Sequence, residues 1–346
     1  MNQSLDYYRQ AHRIAFGPLL FQAVRVARDR GLLEALKKAG PTGASPAEAA
    51  AACGLSLYAA RVLLEGCDGA GAVEEEEGRY RLSPVGVLLL GNELVRVNMD
   101  FTHDVCYQGA FFLDEALELG RPAGLKVFGP WDTIYQGLME LPARARKSWL
   151  DFDHSYSDAA FPAALAAVFS RPVARLLDVG GNTGKWSLLC LETQPDLQVT
   201  LLDHASQAKA AADKAAQAGL SDRLRTVPLD LLDHSQAFPG GFDVVWMSQF
   251  LDCFGEADII ELLKRGRAAL APSGSLMVLE TCWDRQPNAA ARDAVMATSL
   301  YFTCMANGDS RMLHSQDLAR CFAAAGLKLE TREQLGFHTL FTCAAA

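Results

Sequence analysis

Apolar positions along this chain recur with two different periods, and the change from one to the other divides it. Over residues 12–39, Ile14, Leu19, Leu20, Val24, Ala27, Leu32, Leu33 and Leu36 recur at spacings of three to five, which predicts helix. Gly40, Pro41 and Gly43 break the pattern. Ser45 then opens SPAEAAAACGLSLYAARVLLEGC as a helix N-cap, with Pro46 at the first helical position and Glu48 closing a capping box. Gly54 ends that helix, and Ser56 begins another through Leu63 and Leu64. Two short strand-like pieces flank Gly78 in GAVEEEEGRYRLSPVG, so the order is that of a winged helix. Residues 92–150 return to a helical pattern, with Phe101, Val105, Phe111, Phe112, Leu113, Leu117 and Leu119 available for a core or a substrate cavity. A loop rich in Gly and Pro, Gly120 to Pro130, interrupts it before Trp131 to Trp149 resumes.

From Arg175 onward the period alternates between strand and helix. Ala205 to Ala218 is an alanine-rich helix; Leu224 to Leu229 is a strand ending at Asp230; Asp243 to Met247 is another; Glu256 to Leu270 is a helix. Ser275 to Leu279 makes a strand ending at Glu280, a helix lies near Asp317 to Ala325, and Leu327 to Thr331 with His338 to Thr342 read as a closing antiparallel pair. The expectation is an α/β fold with two domains, residues 1–150 mainly helical and residues 151–346 built on a parallel sheet.

The centre of the second domain is Leu176 to Asp203, LLDVGGNTGKWSLLCLETQPDLQVTLLD, read as strand, glycine turn, helix, loop and strand. In an open α/β sheet ligands bind beyond the carboxyl ends of the strands, so the turn and Asp203 face one crevice. Glycines let backbone approach a ligand closely, and a carboxylate at the next strand end accepts hydrogen bonds from both hydroxyls of a ribose. The turn, Gly180, Gly181, Asn182, Thr183, Gly184, does not fit the GxGxxG register of dinucleotide sites, and no GxxxxGK[ST] pattern follows. Asp178 would repel a phosphate and suits a cationic, phosphate-free ligand.

Composition narrows the partners. The chain has 346 residues, half of them hydrophobic, and a formal net charge of -9, which argues against general binding to nucleic acid or anionic membrane. Nine cysteines show no CxxC pair and no metal-like spacing, so reduced thiols in a cytoplasmic protein are expected, with no metal. The N-terminus is polar and no apolar run approaches a membrane span. From Ser45 to Leu90 the basic residues are Arg61, Arg79 and Arg81 against seven acidic ones, too few to neutralise a run of phosphates. Packing or dimerisation is the better use of the winged helix, with Glu74 to Glu77 a solvated tip; a ligand-sensing DNA-binding regulator is the competing reading.

An acidic residue, Gly180, a small residue and Gly184 after an apolar strand resemble motif I of the S-adenosylmethionine-dependent methyltransferases, with Asn182 in place of the middle glycine. Together with the winged-helix N-terminus and the strand order, the chain resembles the homodimeric small-molecule O-methyltransferases of plant phenolic and bacterial polyketide pathways over residues 12–343. The resemblance implies a Rossmann-like class I methyltransferase sheet, an N-terminal winged-helix dimerisation domain, a homodimer, S-adenosylmethionine as cofactor and a small aromatic or polyketide-like acceptor. It places Asp178, Gly180 and Gly184 at the methionine end, Asp203 at the ribose, Asp230 and Leu231 at the adenine, and Ser248 where many relatives have Lys or Arg. His204 and His234 read as solvated or adenine-side neighbours, and Met296, Tyr301, Phe302 and Met305 fall on a segment that lines the acceptor cavity in relatives.

The catalytic motif departs from the family. In the plant-like enzymes of the family strand four runs into a segment ending HDW; here Asp252, Cys253 and Phe254 fall at those positions, so the histidine base that the resemblance implies is absent. Glu280 matches the glutamate that orients the base, Asp309 loosely matches a second acid, and His314 starts a helix near the expected acceptor pocket. An unperturbed Asp is a weaker base than His by about two to three pKa units, and burial beside Glu280 would raise it. Three options stay open: Asp252 is a tuned base; another residue such as His154 or Tyr156 serves, in a segment with Asp158 and Phe161 ahead of the sheet; or the acceptor needs little help. Relatives that lost the base imply an alternative, S-adenosylmethionine bound but decarboxylation, hydroxylation or ring closure catalysed.

Overall fold

The computed structural model describes residues 2–157 and 160–346. Asp158, one of the candidates ahead of the sheet, lies outside the described residues. The chain packs as two compact units, Met1–Thr102 and His103–Ala346.

In the first unit the expected caps form. Glu48 N donates to Ser45 Oγ at 3.3 Å and Ser45 N donates to the Glu48 carboxylate at 2.7 Å, so two amides left over at a helix start are satisfied reciprocally. That cap starts the helix Pro46–Cys53, Gly54 ends it at φ 64°, and Ser56 caps Leu57–Ala70. The helices Gly17–Asp29 and Leu32–Ala39 bury Val24, Ala27, Leu32, Leu33 and Leu36 against Leu64. Ile14 and Leu19, part of the same apolar pattern, are 80% and 69% exposed. With Leu5, Tyr7, Tyr8 and Phe16 they make the first two helices apolar on an outer surface.

The strands β1 (Val73–Glu76) and β2 (Arg79–Leu82) form the hairpin. Glu77 (φ 49°) and Gly78 (φ 77°) make the two-residue turn whose left-handed backbone matches strand twist. The glutamates are exposed, and the hairpin's arginines are engaged by acids, Arg81 with Glu74 and Glu76 and Arg79 with Glu48.

The second unit carries a seven-stranded sheet of β3 (Arg175–Val179), β4 (Gln198–Asp203), β5 (Leu224–Pro228), β6 (Phe242–Ser248), β7 (Leu270–Glu280), β8 (Leu327–Leu335) and β9 (His338–Ala345). The order is β5-β4-β3-β6-β7-β9-β8; β3 to β7 pair in parallel, and β9 and β8 add the antiparallel edge. Apolar layers cover both faces. Trp246 and Trp186 stack on one with ring centroids 4.5 Å apart, and Phe322 and Phe341 pack on the other.

The boundary expected near residue 150 is not where packing divides the chain. Tyr135 Oη bonds Cys253 Sγ at 3.0 Å, Trp149 Nε1 donates to Tyr301 Oη at 2.7 Å, and Cys304 Sγ lies 2.9 Å from the Gly109 carbonyl, so the segment after Thr102 packs with the sheet unit. Of its apolar residues Val105 is buried, whereas Phe111, Leu117 and Leu119 are exposed, and none of the three lines the cavity at the strand ends described below. Among the described residues no single helix is long and apolar enough to cross a membrane.

Ser45→Ala is expected to cost about 1 kcal/mol of stability and Ser45→Gly only a few tenths. Urea unfolding followed by circular dichroism checks it; an alanine variant as stable as the parent would show that the cap contributes nothing.

Candidate active site

The carboxyl ends of the parallel strands open onto one cavity of about 610 Å³. Gly180 follows β3, Asp203 ends β4, Asp230 lies just past β5, Gln249 follows β6 and Thr281 follows β7, and all five line it. Its other wall comes from helical segments on either side of the sheet in sequence, including Tyr135, Trp149 and Tyr156 before it and Tyr301 and Phe302 near its end. Phe302 opens a π-helical turn, Phe302–Ala306, a form often found beside functional sites.

The turn after β3 is left-handed at Gly180 (φ 72°), Asn182 (φ 49°) and Gly184 (φ 80°). A Cβ on Gly180 would overlap the Phe250 ring, so the turn and the segment after β6 approach as closely as a glycine allows. Asn182 N donates to one Asp203 carboxylate oxygen at 2.8 Å and His204 N to the other at 2.7 Å. Burial holds the Asp203 carboxyl above its usual range while these two amides pull it down. Each oxygen keeps acceptor capacity for a further donor from the cavity. That set, an oriented carboxylate above a turn free of phosphate-binding groups, fits a ribose diol and opposes a pyrophosphate.

Asp178 supports this turn from below. It is 2% exposed and accepts from Ser187 Oγ at 2.6 Å. Burial, with a smaller contribution from the Asp203 charge, pushes its carboxyl up to about 7. Gly184 packs against Ala211, and Ser248 is a half-buried strand residue. None of Asp178, Gly184 and Ser248 lines the cavity, whereas Gly180, Asp203, Asp230 and Leu231 do.

Asp252 sits in the short helical turn Leu251–Cys253, 7% exposed and facing the cavity. Burial raises its carboxyl to about 6, helped by the charge of Asp153 and opposed by the Cys253 thiol. Glu280, fully buried at the end of β7, is held well above the carboxylate range by burial and by Asp252. Its Oε1 accepts from Phe250 N at 3.0 Å and Leu251 N at 2.8 Å. These bonds fix the backbone that presents Asp252. Cys253 Sγ lies 3.5 Å from Asp252 Oδ1, and the Asn307 amide donates to the Cys253 carbonyl, tying the turn to the loop that carries Asp309. Asp309 also lines the cavity, its carboxyl raised by burial.

The other sequence candidates scatter. His154 is exposed and does not line the cavity, whereas its neighbours Asp153 and Tyr156 do. Phe161 packs on Trp186 in the core, with centroids 5.3 Å apart. Tyr301 and Phe302 line the cavity, Met305 is core and Met296 is 41% exposed. His204 lines the cavity, His234 bonds Asp258 at 2.7 Å, and His314 caps its helix through Nδ1. Sequence reasoning missed Gln249, left-handed at φ 46°, and the aromatic wall of Tyr135 and Trp149. Asn182 carried a signal, since Asn tolerates the left-handed region; Gln249 carried none.

Because the folded-state pKa of Asp178 is raised, the folded state holds this proton more tightly than the unfolded one, and stability falls as pH rises from about 4 toward about 7. Asp178→Asn is therefore expected to gain melting temperature relative to the parent between about pH 5 and about pH 8. A pH-independent offset between the two proteins would refute the assignment.

A Dimerisation2-like domain model matches residues 8–80 and an O-methyltransferase domain model matches residues 131–328. The L-tyrosine C(3)-methyltransferase of Streptomyces lavendulae is 26% identical over 331 residues, 94% of this chain and 88% of the relative. The 3-amino-4-hydroxybenzoate 4-O-methyltransferase of Streptomyces cremeus is 29% identical over 268 residues, 75% of this chain and 69% of the relative. Among solved structures, the S-adenosylmethionine-dependent methyltransferase SibL in its apo form superposes with a TM-score of 0.70 at 26% identity, over 96% of this chain and 97% of that one. With more than half of its length matched by the O-methyltransferase domain model, the chain belongs to that family of S-adenosylmethionine-dependent methyltransferases.

Proposed function

We propose that this methyltransferase acts on a hydroxyl of a small aromatic metabolite, with Asp252 as the group that receives the hydroxyl proton. The observation that carries the reading is the environment of Asp252. Burial raises its carboxyl to about 6, close to an unperturbed imidazole at about 6.5, so a carboxylate in the histidine position has a histidine's basicity. Glu280 holds the turn that presents it. The residues of the strand ends divide the cofactor among them: Gly180 and Asn182 approach its middle by backbone, Asp203 accepts from the ribose hydroxyls, and Asp230 with Leu231 borders the base. Asp178, Gly184 and Ser248 act through the shape of the turn and the strand end.

Bound S-adenosylmethionine supplies a methyl group on a sulfonium. The protein's part is to align the acceptor oxygen with that carbon, a positioning effect of large size, to exclude water with Trp149, Tyr301 and Phe302, and to take the proton at the Asp252 carboxylate. The exposed apolar surface of Ile14, Phe16 and Leu19 and the match to a dimerisation-type domain support a homodimer. A cytoplasmic protein without nucleic-acid or membrane partners fits the acidic balance and the engaged arginines of the hairpin.

Asp203→Ala is expected to weaken S-adenosylmethionine binding by about 1.5 to 3 kcal/mol, the cost of losing hydrogen bonds to a charged group; isothermal titration reads it, and unchanged affinity removes Asp203 from the ribose. Asp252→Asn is expected to lower turnover by roughly two to four orders of magnitude with little change in cofactor affinity. The parent's rate should fall below about pH 6, as Asp252 takes a proton, and the variant should lack that limb. Release of S-adenosylhomocysteine in step with product is the readout; product without it would favour a non-methylating reaction.

A further inference from the structure

Beside Asp252 runs a short chain of polar hydrogens. Tyr135 Oη donates to Cys253 Sγ at 3.0 Å, and Cys253 Sγ in turn lies 3.5 Å from Asp252 Oδ1. All three residues line the cavity at the strand ends. Acceptor strength sets the direction of the chain. A carboxylate accepts more strongly than a phenol oxygen, and a phenol donates more strongly than a thiol. The single S–H hydrogen therefore points to Asp252, and the tyrosine hydrogen to the sulfur.

Backbone contacts hold this turn but leave its carboxyl group to rotate. Glu280 accepts from Phe250 N and Leu251 N on one side, and the Asn307 amide donates to the Cys253 carbonyl on the other. Neither contact fixes the Asp252 side chain, whose terminal torsion is broad in itself. The thiol can fix it, because Tyr135 holds the sulfur from the far side. The surroundings make that hydrogen count. The charge of Asp153 opposes the ionised form of Asp252, and Glu280 is held well above the carboxylate range beside it. The donors that favour the ionised form are the Cys253 thiol and the backbone amide of Asp252 itself. Burial pushes the Cys253 thiol well above its ordinary range, so it stays a neutral donor, whereas a carboxylate at position 253 would set like charge against Asp252.

We propose that Cys253, held by Tyr135, is a positioning residue for methyl transfer: its S–H fixes Asp252 Oδ1 and leaves the other carboxylate oxygen to take the proton of the acceptor hydroxyl. This rests on the reading of Asp252 as the proton acceptor given above. The hydroxyl proton moves to Asp252, while the thiol and the phenol keep theirs. Cys253 forms no bond to the acceptor.

Infrared difference spectroscopy on the full chain saturated with S-adenosylhomocysteine tests this without an acceptor. The protonated-carboxyl band that Asp252→Asn removes belongs to Asp252, and its midpoint in the parent is expected at about 6. Cys253→Ala is expected to raise that midpoint by about half to one pH unit, Cys253→Ser to bring most of it back, and Tyr135→Phe to raise it by less than Cys253→Ala. The Cys253 S–H stretch, isolated by subtracting the Cys253→Ala spectrum, is expected at a hydrogen-bonded frequency while Asp252 is ionised and to move toward the free-thiol frequency as Asp252 takes a proton. S-adenosylhomocysteine affinity reports that each variant is folded. An unmoved midpoint in Cys253→Ala, a serine variant no nearer the parent than alanine, or a free-thiol frequency at every pH overturns the proposal. Parent protein that fails to bind S-adenosylhomocysteine would instead strike the methyl-transfer reading.

Discussion

Taking a carboxylate out of water costs several kcal/mol unless donors or opposite charges replace the lost solvent, and this sheet buries Asp178, Asp203, Asp252 and Glu280 at one end. Each is handled differently. Asp203 takes two backbone amides and keeps its position at the cavity wall, and Asp178 takes a hydroxyl and sits high enough to be protonated near neutrality. Glu280 binds two amides of the turn before Asp252. Asp252 meets the Cys253 thiol and faces the cavity.

The strand order sets this arrangement. β4 and β6 flank β3 on opposite sides, so the connections leaving β3 and β6 diverge and a crevice opens between them. Gly180 and Phe250 close its floor by direct contact, and a side chain at Gly180 would force them apart. Among the described residues, two of the three non-glycine residues with left-handed backbone, Asn182 and Gln249, lie at this point and line the cavity, where such strain is expected to be held by surrounding structure. On the proposed reading, an aspartate where the resemblance leads one to expect a histidine is less drastic than it reads as a string, because burial raises the Asp252 carboxyl to about 6.

Much of this fold is written in local pattern. The capping box at Ser45, the Gly78 turn, the glycine turn after Val179 and the closing antiparallel pair follow from periodicity and turn chemistry, which act over a few residues and survive in the sequence. The same locality explains the failures. Nothing nearby in sequence distinguishes Ile14, which is exposed, from Val24, which is core, and apolar spacing offered Phe111 and Leu117 to a core or a cavity although both are exposed. Packing divides the chain at Thr102, where pattern shows nothing, for a similar reason: helical pattern runs on both sides of it, and only contacts of Tyr135, Trp149 and Gly109 with later residues assign the second stretch to the sheet unit.

By itself the sequence determined the sheet, the glycine turn with its carboxylates, the family, and the presence of Asp252 where a histidine is expected. These are statements about residue type and near-neighbour spacing. Tertiary structure alone decided that Asp153 and not His154 enters the cavity, that Glu280 acts on backbone amides, that Gln249 adopts a left-handed conformation, and that Asp252 meets no cation among the described residues. Those outcomes depend on burial and on which distant side chains meet, and a group's solvent exposure and electrostatic neighbours exist only once the chain has packed.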